Sequence, residues 1–209
     1  MIKNLIDTTK AGTLIITTPR TGAHFLEQFI CTNLPELVRL REISDYSQLS
    51  AGLQKGQYFT AIINDLHFKF WLLSQLEVLE NFHVVILTRK DKVMHWISTY
   101  LFRQGQNKKI KSPIHNATKN QIYTNFINEN DPIELDLCEI ANWMLEIGLL
   151  DNGLPCNYKI DYSQLIDLYP GQQAWTPNDY QGIGLDTLFI NHEKIEYLLK
   201  NCIIENIRK

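Results

Sequence analysis

The chain has 209 residues, is 44% hydrophobic and carries a formal net charge of -3. That is enough apolar material for the core of one large domain, or of a domain with a lid. A pI near 6.1 argues against a nucleic-acid binder that works by broad phosphate neutralisation. No stretch approaches the ~20 apolar residues of a membrane span, and the opening Met1-Ile-Lys-Asn-Leu-Ile-Asp7 lacks a secretory apolar core. The four cysteines, Cys31, Cys138, Cys156 and Cys202, are scattered without a close pair, so neither a zinc site nor a redox pair is suggested. We expect a soluble cytoplasmic protein with buried thiols, no nucleic-acid partner and no membrane partner.

Residues Thr13 to Thr18 read as a short apolar strand, Pro19 to Gly22 as a turn, and Phe25, Leu26, Phe29 and Ile30 recur at helical spacing. Tyr58 to Asn64 is a second candidate strand, followed by a helix with Trp71, Leu72, Leu76 and Leu79. Val84 to Thr88 is short and continuously apolar, the pattern of a strand buried on both faces. Asp91 then caps a helix carrying Val93, Ile97 and Leu101. From Gln104 to Asp131 the composition turns to Asn, Lys, Gln, Ser and Thr, which fits a lid or substrate insertion at 104–132 or a plain surface loop. Its Lys108, Lys109 and Lys111 would steer an anion or simply be solvated.

A helix from Glu134 to Gly148 follows, with Leu137, Ile140, Ala141, Met144 and Leu145 on its apolar side. Asn157 to Tyr162 is a further strand, Pro170 to Asp186 reads as irregular, and a last helix spans about His192 to Ile207. The stripe of Ile195, Leu198, Leu199, Cys202 and Ile203 on that helix would finish the core or pair two copies in a homodimer. Strands alternating with helices predict an α/β fold, a parallel sheet covered on both faces in a single domain over 1–209.

Two strand–turn–helix segments carry a cation in the turn, the arrangement that offers backbone N–H groups and positive charge to an anion. The first is Pro19-Arg20-Thr21-Gly22. It has neither the Gly-Lys-Ser/Thr of a nucleotide-kinase phosphate loop nor the Gly-x-Gly-x-x-Gly of a dinucleotide site. In the second, Arg89 ends a strand and Ser98 lies in the helix that follows. The pair suits one ligand with two separated anionic groups.

On these residues the chain resembles the PAPS-dependent sulfotransferases, whose first loop reads Pro-Lys/Arg-Ser/Thr-Gly-Ser/Thr-Thr. The run from Arg89-Lys-Asp-Lys-Val to Ser98 is similar to the bacterial trehalose-sulfotransferase branch, and Tyr162-Ser-Gln-Leu165 resembles that branch's Tyr-Glu-Asp-Leu turn. The matches spread over about residues 13 to 166. The resemblance implies a three-layer P-loop-type fold. It implies PAPS (3′-phosphoadenosine 5′-phosphosulfate) as donor, PAP as product and a hydroxyl acceptor, carbohydrate or small metabolite. Arg20 and the backbone of Thr21, Gly22, Ala23, His24 and Phe25 would then hold the 5′-phosphosulfate, and Arg89 with Ser98 the 3′-phosphate; no metal is required.

Ala23 and His24 stand where the family has two hydroxyl residues, Asp65 stands where relatives place a lysine, and no Arg-Lys-Gly loop closes the chain. His67 keeps the position of a catalytic histidine and is the expected base, with Asp65 to orient it or to act as the base itself. Glu27 is a weaker candidate, expected to face solvent. Trp71, Trp96 and Phe70 would either sandwich an adenine or pack in the core. Two other readings stay open: an inactive relative that binds a 3′-phosphoadenosine nucleotide or a glycan, and a P-loop small-molecule kinase.

Overall fold

The structure is a computed structural model, and it describes residues 5–107, 131–168 and 183–201. Most of the expected lid at 104–132, with Lys108, Lys109 and Lys111, lies outside these residues, as do 169–182, Cys202 and the chain beyond it. Contacts between Cα atoms divide the chain into two compact units.

The first unit comprises Met1–Lys90, Glu146–Leu165 and Glu205–Lys209, and its described residues hold a five-stranded parallel sheet. Strand β1 spans Gly12–Thr17, β2 Val38–Glu42, β3 Phe59–Ile63, β4 His83–Thr88 and β5 Tyr158–Asp161. The order is β2-β3-β1-β4-β5, with every neighbouring pair parallel. Each crossover is therefore made by helices or long connections, as parallel strands require. Helices α1 (Ala23–Asn33), α2 (Tyr46–Gln54), α3 (Leu66–Ser74) and the single turn α4 (Leu76–Leu79) link the first four strands. The α/β class expected from the alternation of strands and helices is the class observed.

The two faces of the sheet follow from the two-residue period of its strands. Leu14 and Ile16 of β1, in register with Ala61 and Ile63 of β3 and with Val84 and Ile86 of β4, face one way. They pack with Leu49 of α2 and Phe68 and Leu72 of α3 in one continuous core. On the opposite face, α1 packs against β1 and β3. That β1, β3 and β4 are buried along their whole length explains why they read as continuous apolar runs. Strand β2 is different. Its Val-Arg-Leu-Arg-Glu alternates on an edge, with a bulge between Arg39 and Arg41 and Arg41 at φ +59°.

Gly12 opens the central strand because no side chain fits there. A Cβ on Gly12 would stand 2.4 Å from the backbone carbonyl oxygen of Phe59, its register partner on β3. Gly12→Ala should therefore force β1 and β3 apart and cost about 1–3 kcal/mol, as overpacking does. Urea denaturation reads that loss directly.

The second unit comprises Asp91–Leu145 and Ile166–Ile204. It contains α5 (Lys92–Asn107), most of α6 (Leu137–Gly148), the short α8 (Leu185–Leu188) and α9 (His192–Asn201). The buried stripe of α6 is Ile140, Trp143, Met144 and Ile147, whereas Ala141 and Leu145 face solvent. The expectation for that helix was thus rotated, because Trp143 rather than Leu145 occupies the i+3 position of its core face. Trp143 meets the ring of Trp96 edge-on at 5.3 Å and that of His95 at 5.0 Å. Trp96, wholly buried here, is a core residue of this unit. Helix α6 runs directly into one π-helical turn, Leu149–Gly153, closed by the Leu154 N–H on the Leu149 carbonyl.

Candidate functional site

Strands β1 and β4 are neighbours, yet the chain leaves β1 toward β2 on one side and leaves β4 toward β5 on the other. In an open parallel sheet a ligand crevice forms outside the carboxyl ends of two such strands. The Pro19-Arg20-Thr21-Gly22 turn lies at the end of β1 and Arg89 at the end of β4, so the two cation-bearing turns of the first unit flank this position.

The turn is built from two left-handed residues, Arg20 at φ +69° and Gly22 at φ +86°. An arginine in that conformation is uncommon, and surrounding contacts must hold it there. The Thr21 hydroxyl donates to the Thr18 carbonyl at 2.9 Å and also pairs with the Thr17 hydroxyl, while Thr17 bonds the Leu87 carbonyl of β4 at 2.9 Å. These buried threonines tie the turn to both strands. Gly22 is the N-cap of α1 and supplies no side-chain cap. Its carbonyl accepts the N–H groups of Phe25 and Leu26, both at 3.0 Å. The N–H groups of Ala23 and His24 head the helix, where intrahelical acceptors do not exist and an anion is favoured.

A second requirement for glycine is spatial. A Cβ on Gly22 would lie 3.1 Å from the ring of Tyr162, the first residue of α7 (Tyr162–Leu168). Tyr162 also carries Arg89 on its ring face, with the guanidinium carbon 4.9 Å from the ring centroid. One aromatic ring therefore touches both cation-bearing turns. Arg89 is 8% exposed, held where a flexible surface arginine would not be.

Asp161 fixes the β4 turn from the neighbouring strand. Its carboxylate accepts the Lys90 N–H at 2.8 Å, the Ser163 N–H at 3.0 Å and the Ser163 hydroxyl at 2.6 Å. Burial alone would raise the Asp161 pKa, but the Ser163 and Lys90 hydrogen bonds outweigh it and hold the group below the ordinary aspartate value. A carboxyl depressed in the native state stabilises at pH above its unfolded pKa and loses that contribution as pH falls through the native one. Asp161→Asn should therefore flatten the loss of stability below roughly pH 4, a difference that thermal unfolding across pH 2–6 resolves.

Asp65 caps α3, accepting the Phe68 N–H at 2.7 Å, and His67 stands exposed on the first turn of that helix. Ser98 belongs to the second unit, where it is buried on α5. Phe70 is exposed, and Trp71 stacks on Phe68 at 5.5 Å and tilts against Tyr46 at 5.2 Å.

Two expectations are corrected. Glu27 does not face solvent; it is wholly buried beneath α1, accepting the Arg39 guanidinium at 2.7 Å and the Thr60 hydroxyl at 3.2 Å. Cys31 is half-buried and Cys138 and Cys156 are exposed, all free thiols rather than core residues. A buried ion pair escaped the sequence entirely: Lys69 Nζ lies 2.7 Å from Glu146 Oε1, with the lysine fully buried. Burial pushes the Lys69 pKa down, against the pull of Glu146.

The chain is an α/β protein with a parallel sheet and a left-handed turn following its central strand. Compared with protein-family models, with curated proteins and with solved structures, it matches none. Among the described residues, no helix is long and apolar enough to cross a membrane, and no cluster of side chains suits a metal ion.

Proposed function

We propose that the protein is a sulfotransferase-like enzyme of the P-loop type that binds PAPS and transfers its sulfuryl group to the hydroxyl of a carbohydrate or small metabolite. The observation that carries this reading is Tyr162, which packs on Gly22 of the first turn and under Arg89 of the second. It links the two anion-binding elements that a ligand phosphorylated at both ends requires. The uncapped start of α1 and the left-handed turn fit the 5′-phosphosulfate end. PAPS supplies the activated sulfuryl group and a phosphate leaving group. Arg20 and the backbone N–H groups from Thr21 to His24 offset the charge that gathers on the leaving oxygen, whereas the Phe25 N–H is already taken by the Gly22 carbonyl. Arg89 takes the 3′-phosphate, and the proton acceptor is drawn from the histidines at the carboxyl edge of the sheet, His67 with Asp65, or His24. The exposed free thiols of Cys138 and Cys156 suit a reducing compartment, the cytoplasm.

One observation favours a second reading, binding without transfer. Ala23 and His24 bring no hydroxyl to the turn, and the Thr21 hydroxyl is engaged with Thr17 and Thr18. Calorimetric titration with PAP, with magnesium ATP as the comparison, tests both. Selective PAP binding that falls roughly ten- to a hundredfold in Arg20→Ala and in Arg89→Ala is expected, the worth of one charged hydrogen bond each. Preference for ATP would replace the sulfuryl-transfer reading with a kinase. PAP binding without PAPS turnover against any acceptor pool would establish the binding-only reading.

A further inference from the structure

Two strand ends and a helix start of the first unit converge on one carboxylate. Glu42 closes β2, Asn64 directly follows β3, and His24 is the second residue of α1, immediately beyond the turn. His24 Nε2 lies 2.9 Å from Glu42 Oε1, and Asn64 Nδ2 donates to the same oxygen at 3.0 Å. The side chains of His24 and Glu42 are each 53% exposed, so the imidazole stands at the carboxyl edge within reach of a ligand. Asn64 Oδ1, by contrast, is buried without a hydrogen-bond partner among the described residues. A buried acceptor left in that state calls for a donor beyond the described residues, such as a hydroxyl or a water.

A carboxylate only accepts, so in the neutral imidazole the Nε2 facing Glu42 carries the hydrogen and Nδ1 keeps its lone pair. The Asn64 bond restrains Glu42, and Glu42 restrains the ring. An acid that orients an imidazole and fixes its tautomer is the arrangement that turns a histidine into a base. The neighbouring Asp65 instead accepts the Phe68 N–H at the start of α3, and among the described residues no hydrogen bond joins it to His67.

We propose that His24 is the proton acceptor of the transfer, with Glu42 and Asn64 as its positioning residues; this rests on the sulfuryl-transfer reading above. As the acceptor oxygen forms its bond to sulfur, its proton passes to His24 Nδ1. The bond from sulfur to the 5′-phosphate oxygen breaks, and its electron pair leaves with PAP. The loss of a hydroxyl at position 24 thereby places a base beside the phosphate turn.

Water serves as the probe acceptor, with PAP released from PAPS measured in wild type, His24→Gln, Glu42→Gln and Glu42→Asp. PAP affinity is measured by calorimetry on the same proteins, and the ring tautomer by long-range proton–nitrogen NMR. His24→Gln should bind PAP within about threefold of wild type yet release it from PAPS about a hundredfold or more slowly, the usual share of general-base catalysis. The His24 ring should carry its hydrogen on Nε2 in wild type, lose that preference in Glu42→Gln and regain it, with activity, in Glu42→Asp. Unchanged PAP release in His24→Gln, a ring protonated on Nδ1, or a loss seen in His67→Ala alone would overturn the assignment. A wild type that binds PAP but releases none from PAPS would overturn it too, leaving nucleotide binding intact. A wild type that binds no PAP would instead remove the sulfuryl-transfer reading and this inference with it.

Discussion

Glu146→Ala is expected to destabilise the protein by about 3–5 kcal/mol. Lys69 has no exposed surface, and its ammonium is 2.7 Å from the Glu146 carboxylate. Removing the acid strands a charge that water cannot reach, and burial already disfavours the charged lysine. For a chain of this size the melting temperature should fall by roughly 6–20 °C. The double variant Lys69→Met with Glu146→Leu tests the cause. It replaces the pair by apolar groups of similar volume and should recover most of the loss, because a buried ion pair contributes little net stability once its desolvation is counted. A Glu146→Ala protein that melts with the wild type would show that Lys69 finds water or another partner. The pair matters to the site because α3, which carries Lys69, begins with Asp65 and His67 at the carboxyl edge of β3.

Arg39→Ala should cost a comparable amount, about 3–5 kcal/mol, from the opposite face of the sheet. Glu27 is buried completely and keeps only the Thr60 hydroxyl at 3.2 Å once the guanidinium is gone. Arg39 itself is 40% exposed, so the asymmetry is testable. Glu27→Gln removes the charge that needs pairing, leaves an arginine that can rehydrate, and should cost less than half as much. Chemical denaturation of the two variants reads the difference, and equal losses would refute it. The functional consequence travels through α1. Glu27 lies one turn beyond His24 on the helix that follows the Pro19–Gly22 turn, so under the proposed function an unseated α1 should weaken PAP binding in Arg39→Ala even where the protein remains folded.

Much of the fold was legible in the chain itself. Thr13 to Thr18 read as a short apolar strand and Val84 to Thr88 as a strand buried on both faces, because a covered strand needs apolar residues at nearly every position; the strands found there are Gly12–Thr17 and His83–Thr88. The turn at Pro19 to Gly22 was legible because glycine and proline constrain the backbone locally. Strand β2 was missed, although Val38-Arg39-Leu40-Arg41-Glu42 alternates with the period of an edge strand; five residues rich in charge offered too short a signal. Missing β2 also hid Glu42 as a partner for His24 and Arg39 as a partner for Glu27.

Composition, backbone propensity and hydrophobic period are local properties, and they determined the α/β class, the central strands and the place of the two cation-bearing turns. Pairing is not local. Lys69 meets Glu146 across 77 positions, Lys90 meets Asp161 across 71 and His24 meets Glu42 across 18. Which carboxylate lies buried, which caps a helix and which holds an imidazole depends on the strand order β2-β3-β1-β4-β5 that brings distant strand ends together. A charged side chain reads the same in sequence whether it is solvated or buried, and only the tertiary structure decides which, because desolvation is tolerated only where a partner has been placed.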